Sequence, residues 1–211
     1  MTPNGQSLAR SRLGHDPAMS ARILSVNVAA AREVQINGRR VMTAIGKQAV
    51  DGPVAVRPLG LAGDEQADLT VHGGLSKAVY AYPSEHYPFW QTVRAQAGVS
   101  LWDMPLPAGA LGENLTIAGL LEDQAWVGDL LRFPDCELVV SEPRYPCFKF
   151  NAAMDFNQAG KLMAQNGWCG MYLAVRTPGS LRAGETFAVL PGPREVGIAE
   201  LFRAKMGRAA R

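Results

Sequence analysis

Four short runs, Val54–Val56, Ala78–Tyr82, Leu138–Val140 and Phe187–Leu190, are each halted within three residues by a proline. Proline lacks a backbone donor and fixes φ, so none of these runs can grow into a long helix, and each must leave its sheet in a set direction. Alternation of period two, as in Ala78–Tyr82 with Tyr80 and Tyr82 on one face, is the strand pattern. With 22 glycines and 14 prolines spread among such runs, the chain reads as mainly β, built of many short strands and tight turns.

Further strands are expected at Ile23–Val28, where Leu24, Val26 and Val28 alternate, at Leu130–Phe133 and within Gly167–Val175. A hairpin pairs Arg32–Ile36 with Val41–Thr43 about Asn37-Gly38, a type I′ turn signal. Helical spacing is confined to Ser84–Ala97, stopped by Gly98, to Asp155–Gln165, and to a terminal stretch with Ile198, Leu201, Phe202 and Met206 on one face. Residues 1–20 are polar and aperiodic and read as a leader. Residues 21–191 form the body, and Pro191-Gly192-Pro193 separates it from a C-terminal helix in 192–211 that docks on the body or on a second copy in a homodimer.

The net charge of +2 is unevenly distributed. Arg10, Arg12 and Arg22 against Asp16 give the first 22 residues +2, and five cations against Glu195 and Glu200 give residues 194–211 +3, so the body carries −3. A nucleic-acid-coating surface needs basic charge concentrated on a folded face, which this distribution does not supply. Three cysteines without a Cys-x-x-Cys spacing indicate neither a disulfide framework nor a zinc knuckle, which fits a reducing cytoplasm. No apolar signal region or membrane-length stretch is present.

The stretch Ser141–Asn151 carries the strongest chemistry. Pro143 and Pro146 end the strand Leu138–Val140 and place Cys147 at a sheet margin or mouth. In an extended segment Cys147, Lys149 and Asn151 share a face, and Arg144 folds back through the turn, so two cations approach the sulfur. Such surroundings favour the thiolate, which ligates metals and attacks electrophiles. The competing reading is a small apolar residue filling a core gap, which is also the reading for Cys136. Upstream, His72 opens the pair Gly73-Gly74, whose amides can form an anion nest, with Lys77 as a point charge nearby. Glycine turns also occur without any ligand. Asp64, Glu65 and Asp68 lack the alternation of a calcium loop and read as a solvated turn. Asn114 either orients a polar ligand or closes its own turn, and His86 reads as a packing histidine.

Five blocks occur in order: Gly63–Asp68, His72-Gly73-Gly74, Tyr82–Tyr87, Gly112-Glu113-Asn114-Leu115 and Pro143-Arg144-Tyr145-Pro146-Cys147. Their order and spacing resemble the MOSC domain family, in particular its YiiM-like branch, over roughly residues 23–190. The resemblance implies a closed or nearly closed mixed-strand β-barrel with a few peripheral α-helices and a pocket at its mouth. It also implies a molybdenum cofactor (molybdopterin), without pyridoxal phosphate, and Cys147 as molybdenum ligand or sulfur donor. His72, Gly73, Gly74, Lys77, Arg144 and Lys149 would then receive the cofactor's anion, and Asn114 would contact pterin or substrate. The implied activity is reduction of N-hydroxylated bases or related compounds, fed by an external electron-donating reductase, since no flavin, nucleotide or iron–sulfur fingerprint is present. The alternatives are a sulfur carrier using a Cys147 persulfide and a non-catalytic pterin- or anion-binding barrel. The branch usually continues into three C-terminal helices where this chain is expected to form one.

Overall fold

The computed structural model describes residues 21–67 and 73–209. Its main layer is an eight-stranded mixed sheet. In spatial order it runs Ala188–Leu190 (β13), Leu130–Arg132 (β9), Glu137–Pro143 (β10), Met171–Thr177 (β11), Val79–Pro83 (β7), Leu115–Ala118 (β8), Arg22–Val28 (β1) and Gln48–Ala49 (β4). Within it β7 and β8 run parallel and the other neighbours antiparallel. Val54–Arg57 (β5), Gly60–Leu61 (β6) and Gly179–Leu181 (β12) make a second sheet, and Arg32–Ile36 (β2) with Arg39–Thr43 (β3) a separate hairpin. The hairpin turns on Asn37 and Gly38 at φ 51° and 75°, both positive as a type I′ turn requires.

The mainly β expectation holds, whereas a closed barrel is not established. The ladder ends at β13 and β4. Three backbone bonds join the start of β1 to the segment before β13: Ile23 N–H donates to Glu185 O at 2.9 Å, Phe187 N–H to Ala21 O at 2.9 Å and Gly184 N–H to Ile23 O at 2.8 Å. These set the approach to β13 against the start of β1.

Local corrections follow from packing. The register of β1 shifts between Ile23 and Ser25, so Ile23 and Val26 are buried while Leu24 faces out. The uninterrupted alternation of Leu24 with Val26 is broken by that bulge. Strand β10 is longer than Leu138–Val140 and reaches Pro143, which pairs with Met171 at the strand's last position, where the missing donor costs least.

Among the described residues four α-helices lie outside the sheets, Tyr87–Gln96 (α1), Phe148–Ala153 (α2), Ala159–Asn166 (α3) and Ile198–Ala209 (α4). Gly98, at φ 73°, follows α1, and Gly167, at φ 76°, caps α3. Helix α4 docks on its own chain: Ile198 and Phe202 are fully buried, and the Phe202 ring stacks on Tyr145 at 5.7 Å. It thereby buttresses the turn that leads from β10 to Cys147. No helix among the described residues is long and apolar enough to cross a membrane.

Candidate functional site

At the end of β10 the chain passes Pro143 and Pro146 and enters α2, with Cys147 as the residue before its first turn. The extended face expected for Cys147, Lys149 and Asn151 is therefore absent. Phe148-Lys149-Phe150-Asn151 alternates like a strand, yet Phe150 is fully buried with its ring edge-on to Trp90 at 5.4 Å, and a helix places it there. Asn151 turns away to bond Asn157 O at 2.9 Å and Gly160 N–H at 2.7 Å.

Cys147 is half-buried and opens onto a cavity of about 100 Å³ that also holds Arg144, Lys149, Lys77 and Asn114. The turn thus brings Arg144 and Cys147 together as expected. Arg144 is 4% exposed, lies over Phe150 at 4.5 Å and Tyr80 at 5.6 Å, and directs Nη1 at Met163 Sδ at 3.5 Å. Burial opposes its charge, but the neighbouring Tyr80, Tyr172 and Cys147 act in the other direction, and its pKa is raised. Tyr80 and Tyr172 form the aromatic wall with centroids 5.4 Å apart, and burial drives both phenol pKa values upward. Lys77 stands 5.9 Å over the Tyr172 ring and 3.7 Å from Glu142.

Other candidates are placed differently. His72 and Asp68 lie outside the described residues, as does the leader 1–20. Gly73 and Gly74 do not line the cavity, and the Gly74 amide donates to Gln66 Oε1 at 2.8 Å instead of standing open. Lys149 reaches across to the hairpin, with Nζ donating to Met42 O at 2.9 Å. Asn114 lines the cavity with its amide already engaged. Its Oδ1 accepts from Tyr80 N–H at 3.0 Å, and its Nδ2 donates to Asn27 O at 3.2 Å and Asp64 Oδ2 at 2.8 Å. Its neighbour Glu113 is fully buried and accepts from Gly109 N–H, Leu111 N–H, Thr116 and Tyr87. Burial raises the pKa of Glu113, and those hydrogen bonds from Tyr87 and Thr116 pull it back. Gly112-Glu113-Asn114 is thus a wall-building motif.

Sequence reasoning missed Lys47 and misread Asp64. The Asp64 side chain is 7% exposed, not solvated, and pairs with the equally buried Lys47 ammonium. It also accepts from Ala29 N–H at 2.9 Å. The partners are 17 residues apart, and nothing local to Gly46-Lys47-Gln48 signals the pairing. His86 fits its packing role: it is buried, stacked on Trp168 at 4.6 Å, and joined to Glu122 at 2.9 Å. Cys136 is buried as expected, and desolvation pushes its thiol up to about 12.

The MOSC domain model matches residues 68–188. Protein YiiM of Escherichia coli (strain K12) is 36% identical over 159 residues, covering 75% of this chain and 68% of that protein. A protein named "Reductase" from Gibberella moniliformis is 36% identical over 157 residues, covering 74% of this chain but 27% of that longer protein. The crystal structure of YiiM from Geobacillus stearothermophilus superposes with a TM-score of 0.70 at 30% identity, covering 90% of this chain and 86% of that one. A cysteine beside a buried arginine at the end of a sheet, within a chain matched over most of its body, makes this protein a member of the MOSC domain family.

Proposed function

We propose that this protein is a molybdenum-cofactor-dependent reductase of N-hydroxylated bases or related N-oxygenated compounds, with Cys147 as the protein's ligand to molybdenum. The observation that carries the reading is the meeting of the Cys147 sulfur and the buried Arg144 guanidinium in one cavity. The residues fit the group on their donor chemistry. Among the described residues no cluster of three His, Cys, Asp or Glu is positioned to hold a bare ion. A metal that arrives already chelated by its pterin needs a single further soft donor, which a cysteine supplies. The name of the Gibberella relative supports reduction as the reaction class.

When bound, the cofactor supplies the two-electron chemistry. The chain's part is to position and to set charge. Cys147 presents its sulfur from the cavity wall, and Arg144, packed between Phe150 and Tyr80, holds a fixed positive charge for an anionic group. Lys77, 3.7 Å from Glu142, adds a further cation at the same cavity. Tyr80 and Tyr172 give the cavity an aromatic wall beneath Arg144 and Lys77. Their raised pKa values keep both phenols neutral at physiological pH. Electrons come from a separate reductase.

The test is molybdenum and pterin content of wild type and Cys147→Ser from a cofactor-competent host, with N-hydroxypurine reduction driven by an artificial donor. Wild type retains metal and reduces the substrate, and the variant loses both. A wild-type protein without molybdenum that carries a labile sulfane on Cys147 would overturn the proposal in favour of sulfur transfer.

A further inference from the structure

A second cavity, of about 390 Å³, adjoins the hollow at Cys147 and shares Thr43, Ile45, Lys47 and Lys149 with it. Its volume lies within the range of about 300–1,000 Å³ in which small ligands bind. The hairpin β2–β3 forms one wall and the end of α2 another. At the annex wall two backbone segments approach closely. At Gly109, φ +84°, a Cβ would meet Lys47 O at 2.7 Å.

Among the described residues the lining of this annex holds four cations, Arg32, Lys47, Arg94 and Lys149, and no carboxylate. Two of them are already neutralised: Lys47 pairs with Asp64, and Arg94 with Asp155 at 3.0 Å. Neither Arg32 nor Lys149 forms an ion pair with a described carboxylate, and the Lys149 ammonium spends one bond on the neutral Met42 carbonyl. A guanidinium and an ammonium that line one small-ligand cavity are a donor set that suits a tetrahedral oxyanion. The annex lies on the hairpin side, whereas Arg144 and Lys77 line only the hollow itself.

We infer that the annex receives the phosphate monoester end of the substrate, with Arg32 and Lys149 as its contacts, so that the compound reduced is a nucleotide and not a free base. This rests on the reductase reading above for the reacting end. The phosphate stays bonded to the substrate throughout and takes no part in the electron transfer.

The test compares N-hydroxyadenosine with its 5′-monophosphate as substrates of the holoenzyme. It also compares adenosine with adenosine 5′-monophosphate as ligands in equilibrium titration at low salt, for wild type, Arg32→Gln and Arg144→Gln. The wild type is expected to favour the monophosphates by at least about tenfold in KM and in affinity, with the preference shrinking as salt screens it. Arg32→Gln, an exposed position, is expected to lose that preference while keeping its molybdenum and its kcat on the nucleoside. Equal use of the two substrates by an active wild type overturns the inference and leaves the reductase reading intact. A phosphate preference that survives Arg32→Gln and disappears only in Arg144→Gln overturns it too, since the anion then occupies the place given to the cofactor. If no reduction occurs with either substrate the reductase reading fails, and the titrations with Arg32→Gln still decide for or against a phosphate site in the annex.

Discussion

Asp64→Asn tests whether the cavity wall is held by a buried ion pair. The carboxylate accepts from the Lys47 ammonium, from Ala29 N–H and from the Asn114 amide, so it ties β4's approach, the end of β1 and the turn before β8 to one point. An asparagine keeps one acceptor and sets its own NH₂ against a donor. It also leaves a buried ammonium without a counter-charge. Breaking a buried pair in this way costs about 3–5 kcal/mol. With an m-value of about 2–3 kcal/mol/M, that lowers the urea midpoint by roughly 1–2 M. Lys47→Met is expected to cost less, about 1.5–3 kcal/mol, because Asp64 keeps two of its donors. The double variant should recover part of the loss of Asp64→Asn, with a coupling of about 1–3 kcal/mol. Urea melts of the four proteins give all terms. An Asp64→Asn cost below that of Lys47→Met, or no coupling, would refute the placement of this pair.

The pair also carries a pH signature. Burial lowers the Lys47 pKa from its ordinary 10.5, and Asp64 only partly offsets this. Between the lowered value and 10.5 the unfolded chain binds more protons at this residue than the folded one, so its contribution to stability rises with pH through that window. Below the window the cost of burying the charge is present in full. Buried tyrosines such as Tyr80 and Tyr82 have raised pKa values and act in the opposite sense at alkaline pH, but equally in both proteins. The stability difference between wild type and Lys47→Met therefore grows in favour of wild type from neutral pH towards pH 10. A flat difference refutes it.

Phe202→Ala removes a fully buried ring that also supports Tyr145, and is expected to cost about 3–5 kcal/mol in a urea melt. It should also reduce molybdenum retention, because the turn carrying Cys147 loses its backing. Alkylation of the native protein at pH 8 should label Cys147 alone by mass spectrometry. Cys136, with its thiol pushed up to about 12, and the fully buried Cys169 should react only after denaturation. Arg144→Met should leave the cofactor-free protein within about 1–2 kcal/mol of wild type, since Arg144 has no carboxylate partner among the described residues and a buried cation of that kind contributes little net stability. It should nevertheless abolish molybdenum retention. A large loss of stability with metal retained would show that Arg144 is a packing residue.

What could be read in the sequence was whatever a few neighbouring residues decide. Asn37-Gly38 dictates its turn through two positive φ angles, Gly98 and Gly167 stop their helices, and paired prolines deliver Cys147 to a sheet margin. Contacts distant in sequence left no such mark. The bulge at Ile23–Ser25 answers to the partner strand β8, and Lys47 gains its meaning only when Asp64 is folded against it. The alternation in Phe148–Asn151 misled because an alternating tetrapeptide also fits one helical turn, and the tertiary demand for Phe150 against Trp90 and Arg144 decided the matter. Asn114 was identified as a residue of the site, but its amide faces protein partners that no local pattern could name.

The cations around Cys147 are held in three different ways, and the difference bears on what the cavities can accept. Lys47 is neutralised by Asp64 and so contributes rigidity with little net field. Arg144 is buried against aromatic faces and a thioether, none of which cancels its charge. Arg32 and Lys149 remain without carboxylate partners among the described residues at the margin of the annex. A chain that buries a guanidinium with no carboxylate partner among the described residues bears a desolvation cost that packing alone does not explain. An anionic ligand lowers that cost on arrival, so binding free energy and relief of electrostatic strain add.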